Sequence, residues 1–309
     1  MGEAWAPKPV KRIAVVGMGT MGMQIAALCA CAGYETQVYD GMPGAVDRAL
    51  KRLGEDVVPG IVEAGLNPTP TTIEASLARL IPTSSLEEAV SGVELIIEAV
   101  REDIDVKLEI FAELSRLAPD AILATGSSSL LSRPLADVVS NPERLLNMHF
   151  FAPVWVRTMV ELMTCGQTSE AAFAEAAAVG NAMGIVVARV QGESKGFIIN
   201  RVWRAIKRES LRVVDEGYGT PEDVDRLFML FFEAKRAPFS TMDLVGLDVV
   251  ADIERSYHAV ATDPADVPIK LLTDKVAQGE LGEKTGSGFY SYPNPSYARK
   301  NFLRPDDPE

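Results

Sequence analysis

The chain has 309 residues, 47% of them apolar and 24% charged, which is typical of a globular protein large enough for two domains. Its formal net charge of −13 repels phosphate backbones and anionic lipid, so neither nucleic acid nor a membrane surface is an expected partner. Three cysteines without a Cys-x-x-Cys pair predict neither disulfides nor a zinc or other metal site, and they fit a reducing cytoplasm. The sequence shows no secretory signal and no apolar run of about 18 residues, so we expect a cytoplasmic protein without a membrane span.

Short β-branched runs alternate with longer amphipathic stretches through the first half of the chain. The predicted strands are Ile13–Val16, Thr36–Tyr39, Leu95–Glu98, Ile122–Ala124, Leu145–His149, Met159–Leu162 and Gly184–Ala188. The predicted helices between them are Thr20–Ala32, Ala45–Ala64 and Asp103–Leu117. Such alternation is typical of β-α-β units, and it predicts an α/β domain with a mostly parallel sheet over residues 1–194.

The pattern changes near residue 195 and becomes helical. Lys195–Glu216 is predicted to be one long helix that ends before Gly217, because glycine tolerates the left-handed backbone of a helix C-terminus. Thr220 and Asp223 predict a variant capping box at the start of the next helix. Further helical patterns cover Met242–Val260 and Ile269–Gly279, and the tail from Pro293 is expected to be irregular. We therefore predict an all-α domain over residues 195–309.

A glycine-rich loop directly follows the first predicted strand. Its Gly-x-Gly-x-x-Gly pattern has strand on one side and helix on the other, which favours a dinucleotide site over an ordinary glycine turn. The first glycine permits the tight turn, the second lets the backbone approach a pyrophosphate, and the third allows close helix–strand packing. The residues predicted to bind the cofactor here are Gly17, Gly19, Thr20, Met21 and Gly22. The first domain is therefore predicted to be Rossmann-like.

Asp40 ends the second predicted strand, 23 positions after Gly17. A carboxylate at this point accepts hydrogen bonds from ribose hydroxyls and repels a 2′-phosphate. The next three residues carry no positive charge, so the sequence favours NAD over NADP.

Only two histidines occur, His149 and His258. His149 ends a predicted strand at the sheet edge where α/β proteins bind ligands, and Glu161 follows twelve residues later in a second apolar run. That spacing allows a turn and a return strand, so the pair could act as a base and its orienting carboxylate. Each residue taken alone fits equally well as an ordinary structural residue, and His258 is expected to be structural.

Several segments, in order along nearly the whole chain, resemble the 3-hydroxyacyl-CoA dehydrogenase family. They read VVGMGTMG, LIIEAVREDIDVK, HFFAPVWVRTMVEL, GFIINR, MDLVGLD and GELGEKTGSGFYSYP. The resemblance implies a catalytic base at His149 with Glu161 as its partner. It also implies that Ser128 contacts the substrate hydroxyl and that Asn200 contacts both substrate and cofactor.

Glu102 and Lys107 match family residues near the nicotinamide half of NAD. The family's architecture, a Rossmann-like domain followed by a helical dimerising domain, further implies a homodimer. The expected reaction is NAD-dependent oxidation of a 3-hydroxyacyl thioester, on CoA or on a carrier protein, to the 3-oxoacyl thioester.

Three departures from the family pattern leave the expected substrate open: Gly126 and Ala152 stand where asparagine is usual, and Ala237 where glycine is usual. In addition, the stretch Leu53–Ala78 carries four acidic residues and no lysine or arginine. It would therefore not attract the phosphates of CoA, although basic residues elsewhere could. A sugar acid as substrate and a non-catalytic NAD-binding role are the remaining alternatives, and the joint presence of the four implied catalytic residues argues against the latter.

Overall fold

The computed structural model of the protein describes residues 5–66, 72–261, 263 and 266–304. The chain forms two compact units, Met1–Ile198 and Ile199–Glu309. The helix expected to begin at Lys195 begins instead at Ile199. The reason lies in the backbone just before it: Gly196 and Phe197 have left-handed φ angles of 83° and 55°, which a helix cannot include.

Eight strands form one sheet in the first unit. They are β1 (Arg12–Val16), β2 (Glu35–Tyr39), β3 (Leu80–Pro82), β4 (Leu95–Glu98), β5 (Ile122–Thr125), β6 (Leu145–Phe150), β7 (Met159–Thr164) and β8 (Val186–Arg189). Their order is β3-β2-β1-β4-β5-β6-β7-β8, and every neighbouring pair is parallel except β6 and β7. The predicted mostly parallel α/β domain is therefore confirmed. The short strand β3 was not predicted.

Eight α-helices accompany the sheet in the described part of the first unit. They are α1 (Thr20–Cys31), α2 (Ala45–Arg52), α3 (Val58–Glu63), α4 (Ile73–Leu77), α5 (Leu86–Val90), α6 (Ile104–Leu117), α7 (Arg133–Ala136) and α8 (Glu170–Ala182). The helix predicted over Ala45–Ala64 is interrupted by a π-helical segment, Leu53–Val57. Pro59 explains the interruption, because a proline cannot donate the regular backbone bond and its ring clashes with the preceding turn.

Both faces of the sheet are covered, which explains why β1 is apolar at four consecutive positions, Ile13 to Val16. Ile13 and Val15 of β1 belong to one core cluster, and the intervening Ala14 and Val16 belong to another. All four side chains are buried. A ligand can therefore reach these strands at their ends, where the loops that carry the predicted site residues begin.

In the second unit, the residues that the structure describes form five α-helices around a core of their own. They are α9 (Ile199–Asp215), α10 (Pro221–Phe232), α11 (Pro238–Val245), α12 (Leu247–His258) and α13 (Lys270–Ala277). The capping box of Thr220 and Asp223 is present as predicted. The stretch predicted as one helix, Met242–Val260, is divided at Gly246, whose φ of 99° ends α11. Within the described ranges, no helix is long and apolar enough to cross a bilayer.

A buried arginine fixes the start of β6, the strand that carries His149. Arg144 is fully buried, and its guanidinium donates to the carbonyls of Ser115, Ala118 and Ala121 at 3.2, 2.7 and 2.8 Å. These carbonyls lie at and just beyond the C-terminal end of α6, where backbone acceptors lack helical partners. Burial lowers the pKa of Arg144 to about 10, an effect that Asp120 partly opposes, so the side chain is charged at neutral pH.

We expect Arg144→Met to lower the free energy of unfolding by about 2–4 kcal/mol, because it leaves buried carbonyls without donors. Urea unfolding followed by tryptophan fluorescence measures the change. Arg116→Met is the matched control. Arg116 lies on α6, the helix whose C-terminal carbonyls Arg144 contacts, but its side chain is largely exposed, so its loss should change stability little. Equal stability of Arg144→Met and the wild type would show that these carbonyls do not depend on the guanidinium.

Candidate active site

The glycine loop passes close to the strand neighbouring β1, at the point where the strand order reverses. A Cβ on Gly17 would lie 2.6 Å from the backbone of Ala99, and one on Gly22 would lie 1.7 Å from the Gly17 carbonyl oxygen. Both positions therefore require glycine. A Cβ on Gly19, in contrast, would meet nothing within 4 Å. This open side is where the fingerprint predicts that the pyrophosphate lies.

The N-terminus of α1 suits an anion. Gly19 provides no side-chain cap, and the first turn contains no acidic residue. Thr20 is exposed and Met21 half-buried in this turn. The free backbone N–H groups of the turn, together with the helix dipole, favour negative charge at this end of the helix.

Asp40 lies beside the same loop at the end of β2. Its carboxylate accepts hydrogen bonds from the backbone N–H groups of Met18 at 2.7 Å and Met42 at 2.8 Å. The side chain is half-buried, so the carboxylate is held in place by the loop and is still accessible. Sequence reasoning named this residue for ribose recognition, and the structure adds that it also orders the glycine loop.

These contacts predict that two glycine substitutions both weaken NAD binding but differ in their effect on the melting temperature. Gly19→Ala should fold with the wild-type melting temperature but bind NAD at least about tenfold more weakly, since its methyl group enters only the ligand's space. Gly22→Ala should lower both NAD affinity and melting temperature, since its methyl group collides with backbone. Calorimetric titration and thermal unfolding measure the two quantities.

Gly219→Ala in the second unit is the control, because a Cβ there would make only an ordinary contact, 3.9 Å from Asp223. It should leave NAD affinity unchanged. If Gly19→Ala binds NAD with wild-type affinity, the pyrophosphate does not lie beside Gly19.

The pairing of β6 with β7 brings His149 and Glu161 together. The two residues are direct partners in the antiparallel register, and Nδ1 of His149 lies 3.0 Å from Oε2 of Glu161. Both residues are about 3% exposed. With Nδ1–H assigned as the donor to the carboxylate, Nε2 is the nitrogen that can accept a proton. His258, in contrast, is exposed in the second unit, and its Nδ1 lies 2.9 Å from the carbonyl of Asp266.

The imidazole ring is held by aromatic neighbours as well as by its carboxylate. The ring centroids of Phe151 and Phe197 lie 4.2 and 4.6 Å from that of His149. Glu161 accepts a second bond, from the backbone N–H of Ile198 at 2.9 Å. The left-handed backbone at Phe197 turns the chain so that the Phe197 ring contacts His149 and the Ile198 N–H reaches Glu161. A fixed orientation of a base is what proton transfer requires.

The loop after β5 is organised by Glu102. The Oε1 atom of Glu102 accepts from the Ser127 hydroxyl at 2.5 Å, and from the hydroxyl and N–H of Ser129 at 2.7 and 3.0 Å. Burial alone would raise the pKa of Glu102, but these serine hydrogen bonds and the nearby Lys107 ammonium lower it overall. Ser128 lies exposed between the two bonded serines, and the described residues offer its hydroxyl no hydrogen-bond partner.

Lys107 connects Glu102 to a second carboxylate that is fully buried. Its Nζ lies 2.6 Å from Glu98 and 3.5 Å from Glu102. Glu98 also accepts from the Thr125 hydroxyl at 2.7 Å, and Thr125 Oγ1 in turn accepts from the Ser127 N–H at 3.2 Å. These five residues form a closed polar network at the ends of β4 and β5. Lys107 is 1% exposed and serves this network; its contact with NAD stays a prediction.

The three departures from the family pattern have different surroundings. A Cβ on Gly126 would lie 2.9 Å from the Glu98 carbonyl oxygen, so an asparagine here requires the backbone to shift. Ala152 is half-buried and follows Phe151 beyond β6. Ala237 is 2% exposed within the second unit. Asn200 lies in the first turn of α9 in that unit, and its role likewise stays a prediction.

Sequence reasoning did not name Glu98, Thr125, Ser127 or Asn147. The pairing of Glu98 with Lys107 could have been predicted from the sequence. A carboxylate that ends an apolar strand needs a buried cation, and Lys107 follows in the first turn of α6. Asn147 could also have been singled out, because it is an amide within the apolar run RLLNMHFFAP. The hydroxyl groups of Thr125 and Ser127 could not have been identified from the sequence, because the conformation of the loop decides which side chains of TGSSSL point inward.

A glycine-rich loop at a helix N-terminus, a carboxylate for ribose and an imidazole–carboxylate pair all lie along one edge of the sheet. This combination is typical of a dinucleotide-dependent dehydrogenase. The chain matches the family described as "3-hydroxyacyl-CoA dehydrogenase, NAD binding domain" over residues 12–193. It matches "3-hydroxyacyl-CoA dehydrogenase, C-terminal domain" over residues 196–292. The protein therefore belongs to the 3-hydroxyacyl-CoA dehydrogenase family, and it is an oxidoreductase with NAD as its cofactor.

Named relatives cover almost the whole chain. A 3-hydroxybutyryl-CoA dehydrogenase of Mycobacterium tuberculosis is 36% identical over 290 residues, which are 92% of this chain and 99% of the relative. A probable 3-hydroxybutyryl-CoA dehydrogenase of Bacillus subtilis is 34% identical over 284 residues, 92% of this chain and 98% of the relative. The crystal structure of (S)-3-hydroxybutyryl-CoA dehydrogenase from Ralstonia eutropha is similar with a TM-score of 0.84 and 30% identity, covering 92% of this chain and all of that one. The family expected from sequence is confirmed.

Proposed function

We propose that the protein oxidises a 3-hydroxyacyl-CoA to the 3-oxoacyl-CoA with NAD, using His149 as the base and Glu161 as its partner. The observation that carries this proposal is the 3.0 Å contact between Nδ1 of His149 and the Glu161 carboxylate, at the sheet edge where the glycine loop also lies. The names of the relatives support the substrate class. We further propose that the carboxylate of Asp40 makes NAD preferred over NADP.

The residues present fit NAD. The space beside Gly19 admits a close backbone approach, the first turn of α1 carries no opposing charge, and Asp40 stands at the end of the next strand. Gly17, Thr20, Met21 and Gly22 complete the proposed binding loop, with Glu102 and Lys107 toward the nicotinamide half. When bound, NAD supplies the acceptor for the hydride that leaves the substrate carbon.

The protein's own task is to remove the hydroxyl proton. In its neutral form His149 accepts that proton at Nε2, because Nδ1 is engaged by Glu161. The Glu161 carboxylate then stabilises the imidazolium, and its second oxygen stays bonded to the Ile198 N–H. We propose that Ser128, whose hydroxyl is exposed, contacts the substrate hydroxyl, and that Asn200 contacts substrate and cofactor. Only 3% of the His149 surface is exposed, which limits the access of bulk water to the imidazole.

The acyl group and its carrier are the finer part of the proposal. Four exposed acidic residues, Glu55, Asp56, Glu63 and Glu74, lie in the helical segment after β2 and repel the phosphates of CoA there. A carrier-protein thioester or a sugar acid is therefore the second candidate for the same chemistry. NAD reduction with 3-hydroxybutyryl-CoA, its carrier-protein thioester and its N-acetylcysteamine thioester compares these candidates directly.

His149→Gln should reduce kcat by about a hundredfold or more and leave NAD affinity nearly unchanged, since a positioned base contributes about 10²–10⁴-fold. Glu161→Gln should also slow turnover, because the imidazolium loses its counter-charge. Steady-state NADH formation and calorimetric NAD titration are the measurements.

His258→Gln is the matched control, since that ring is exposed and its Nδ1 lies 2.9 Å from the backbone carbonyl of Asp266. It should retain wild-type turnover. Near-wild-type kcat in His149→Gln, or a damaging effect of His258→Gln, would show that the base has been assigned wrongly.

We also propose a homodimer formed through the helical unit, in the reducing cytoplasm that three free, buried cysteines fit. Helix α10 exposes 66, 49, 81 and 61% of the surface of Leu227, Leu230, Phe231 and Phe232. Neighbouring apolar side chains so exposed on one helix are typical of an interface between subunits.

The wild type should therefore sediment as a dimer at micromolar concentration, and the double variant Leu227→Glu/Phe231→Glu should sediment as a monomer, because a dimer would bury unpaired charges. Val260→Glu, at an apolar residue of the same unit that is 65% exposed but lies outside α10, should stay dimeric. A monomeric wild type, or a dimeric double variant, would rule out this interface.

A further inference from the structure

Asn147 joins the strand that carries His149 to the loop that carries Ser128. It lies two residues before His149 on the same face of β6, opposite Met163 in the register with β7. Its Nδ2 donates to the carbonyl of Leu130 at 3.2 Å. Leu130 follows Ser128 by two residues, so one hydrogen bond spans the two segments that hold the proposed base and the proposed serine.

The side of this amide that faces β7 is apolar, whereas its register partner on β5 is Thr125. Asn147 is fully buried beside a cluster formed by Met163, Val190 and Phe197, against which Leu131 packs. Its Oδ1 has no hydrogen-bond partner among the described residues. A buried acceptor without a partner destabilises a fold, and a leucine of similar volume would fill this space without that cost. Stability alone therefore does not account for the amide.

The opposite side of the loop is held separately. Glu102 binds Ser127 and Ser129, the residues on either side of Ser128. The Ser127 hydroxyl also accepts from the Leu130 N–H at 2.9 Å, so Leu130 is bonded through both its N–H and its carbonyl. Glu102 thus ties the loop to the segment just before α6, and Asn147 ties it to β6 through a side-chain hydrogen bond.

We propose that Asn147 is a positioning residue that fixes the Ser128 hydroxyl at the distance from His149 at which both contact one substrate hydroxyl. The inference rests on the proposed function, because it assigns a purpose to Asn147 through Ser128 and His149. Reacting groups must be held within a fraction of an ångström, and a displacement of about 1 Å can cost about a hundredfold in rate. The hydrogen bond from Asn147 to Leu130 supplies that constraint.

Asn147→Leu tests the proposal. It should lower kcat with 3-hydroxybutyryl-CoA by about tenfold or more, while NAD affinity stays at the wild-type value. The melting temperature should change little, because loss of the bond to Leu130 and removal of the unpaired Oδ1 have opposite effects on stability. Asn147→Ala provides the same kinetic test if the leucine variant does not fold.

A double-mutant cycle with Ser128→Ala separates positioning from general damage. If Asn147 acts through Ser128, adding Asn147→Leu to Ser128→Ala should lower kcat by less than about twofold further, since the constrained hydroxyl is already gone. Val190→Ala is the matched control: it loosens the same apolar cluster without touching the hydrogen bond. It should lower the melting temperature and keep kcat within about twofold of the wild type.

Wild-type kcat in Asn147→Leu, or independent effects of the two changes in the cycle, would overturn the inference. A loss of kcat in Val190→Ala as large as that in Asn147→Leu would also overturn it, because it would show that Asn147 affects turnover only through the packing of the apolar cluster. The single variants His149→Gln and Ser128→Ala identify a different failure. If both keep wild-type turnover, the proposed function itself is wrong, whereas damage in both with a harmless Asn147→Leu rejects only the role of Asn147.

Discussion

The reversal of strand direction between β6 and β7 is the constraint on which the site depends. Every other neighbouring pair in the sheet is parallel, so the chain reaches the ligand-binding edge at the end of β6 and leaves it again at the start of β7. His149 and Glu161 face each other only because of this register. Since side chains alternate along a strand, a slip of one residue would turn one member of the pair to the opposite face of the sheet.

Buried charge is the second constraint, and the structure balances it locally. Glu98, Glu102 and Lys107 place two carboxylates around one ammonium, with hydroxyl groups of the adjacent loop as further donors. A buried pair of this kind contributes little net stability, because desolvation offsets the attraction. Its effect is geometric: the lysine, two carboxylates and the serine loop can be satisfied together in one arrangement, and that arrangement exposes Ser128.

The departures at Gly126 and Ala152 lie next to these constrained elements and not within them. Gly126 follows β5, where its N–H donates to the Glu98 carbonyl at 2.7 Å, and Ala152 follows β6. Both replace an amide by a smaller group while the pair, the glycine loop and the serine loop keep their contacts. The two positions can therefore vary in this fold without disturbing the contact between His149 and Glu161.

The sequence by itself determined the class of the first unit, the glycine loop with Asp40, and the candidate pair, because strand periodicity and fixed loop spacings are local properties. It misplaced the start of α9, joined α11 to α12 and missed β3, since left-handed residues such as Phe197 and short pairings are set by neighbours distant in sequence. Only the tertiary structure decided that Lys107 is a buried counter-charge and that Asn147 reaches Leu130. Those contacts join segments 9 to 17 residues apart, and the partner of a buried polar group depends on which segments the fold brings together.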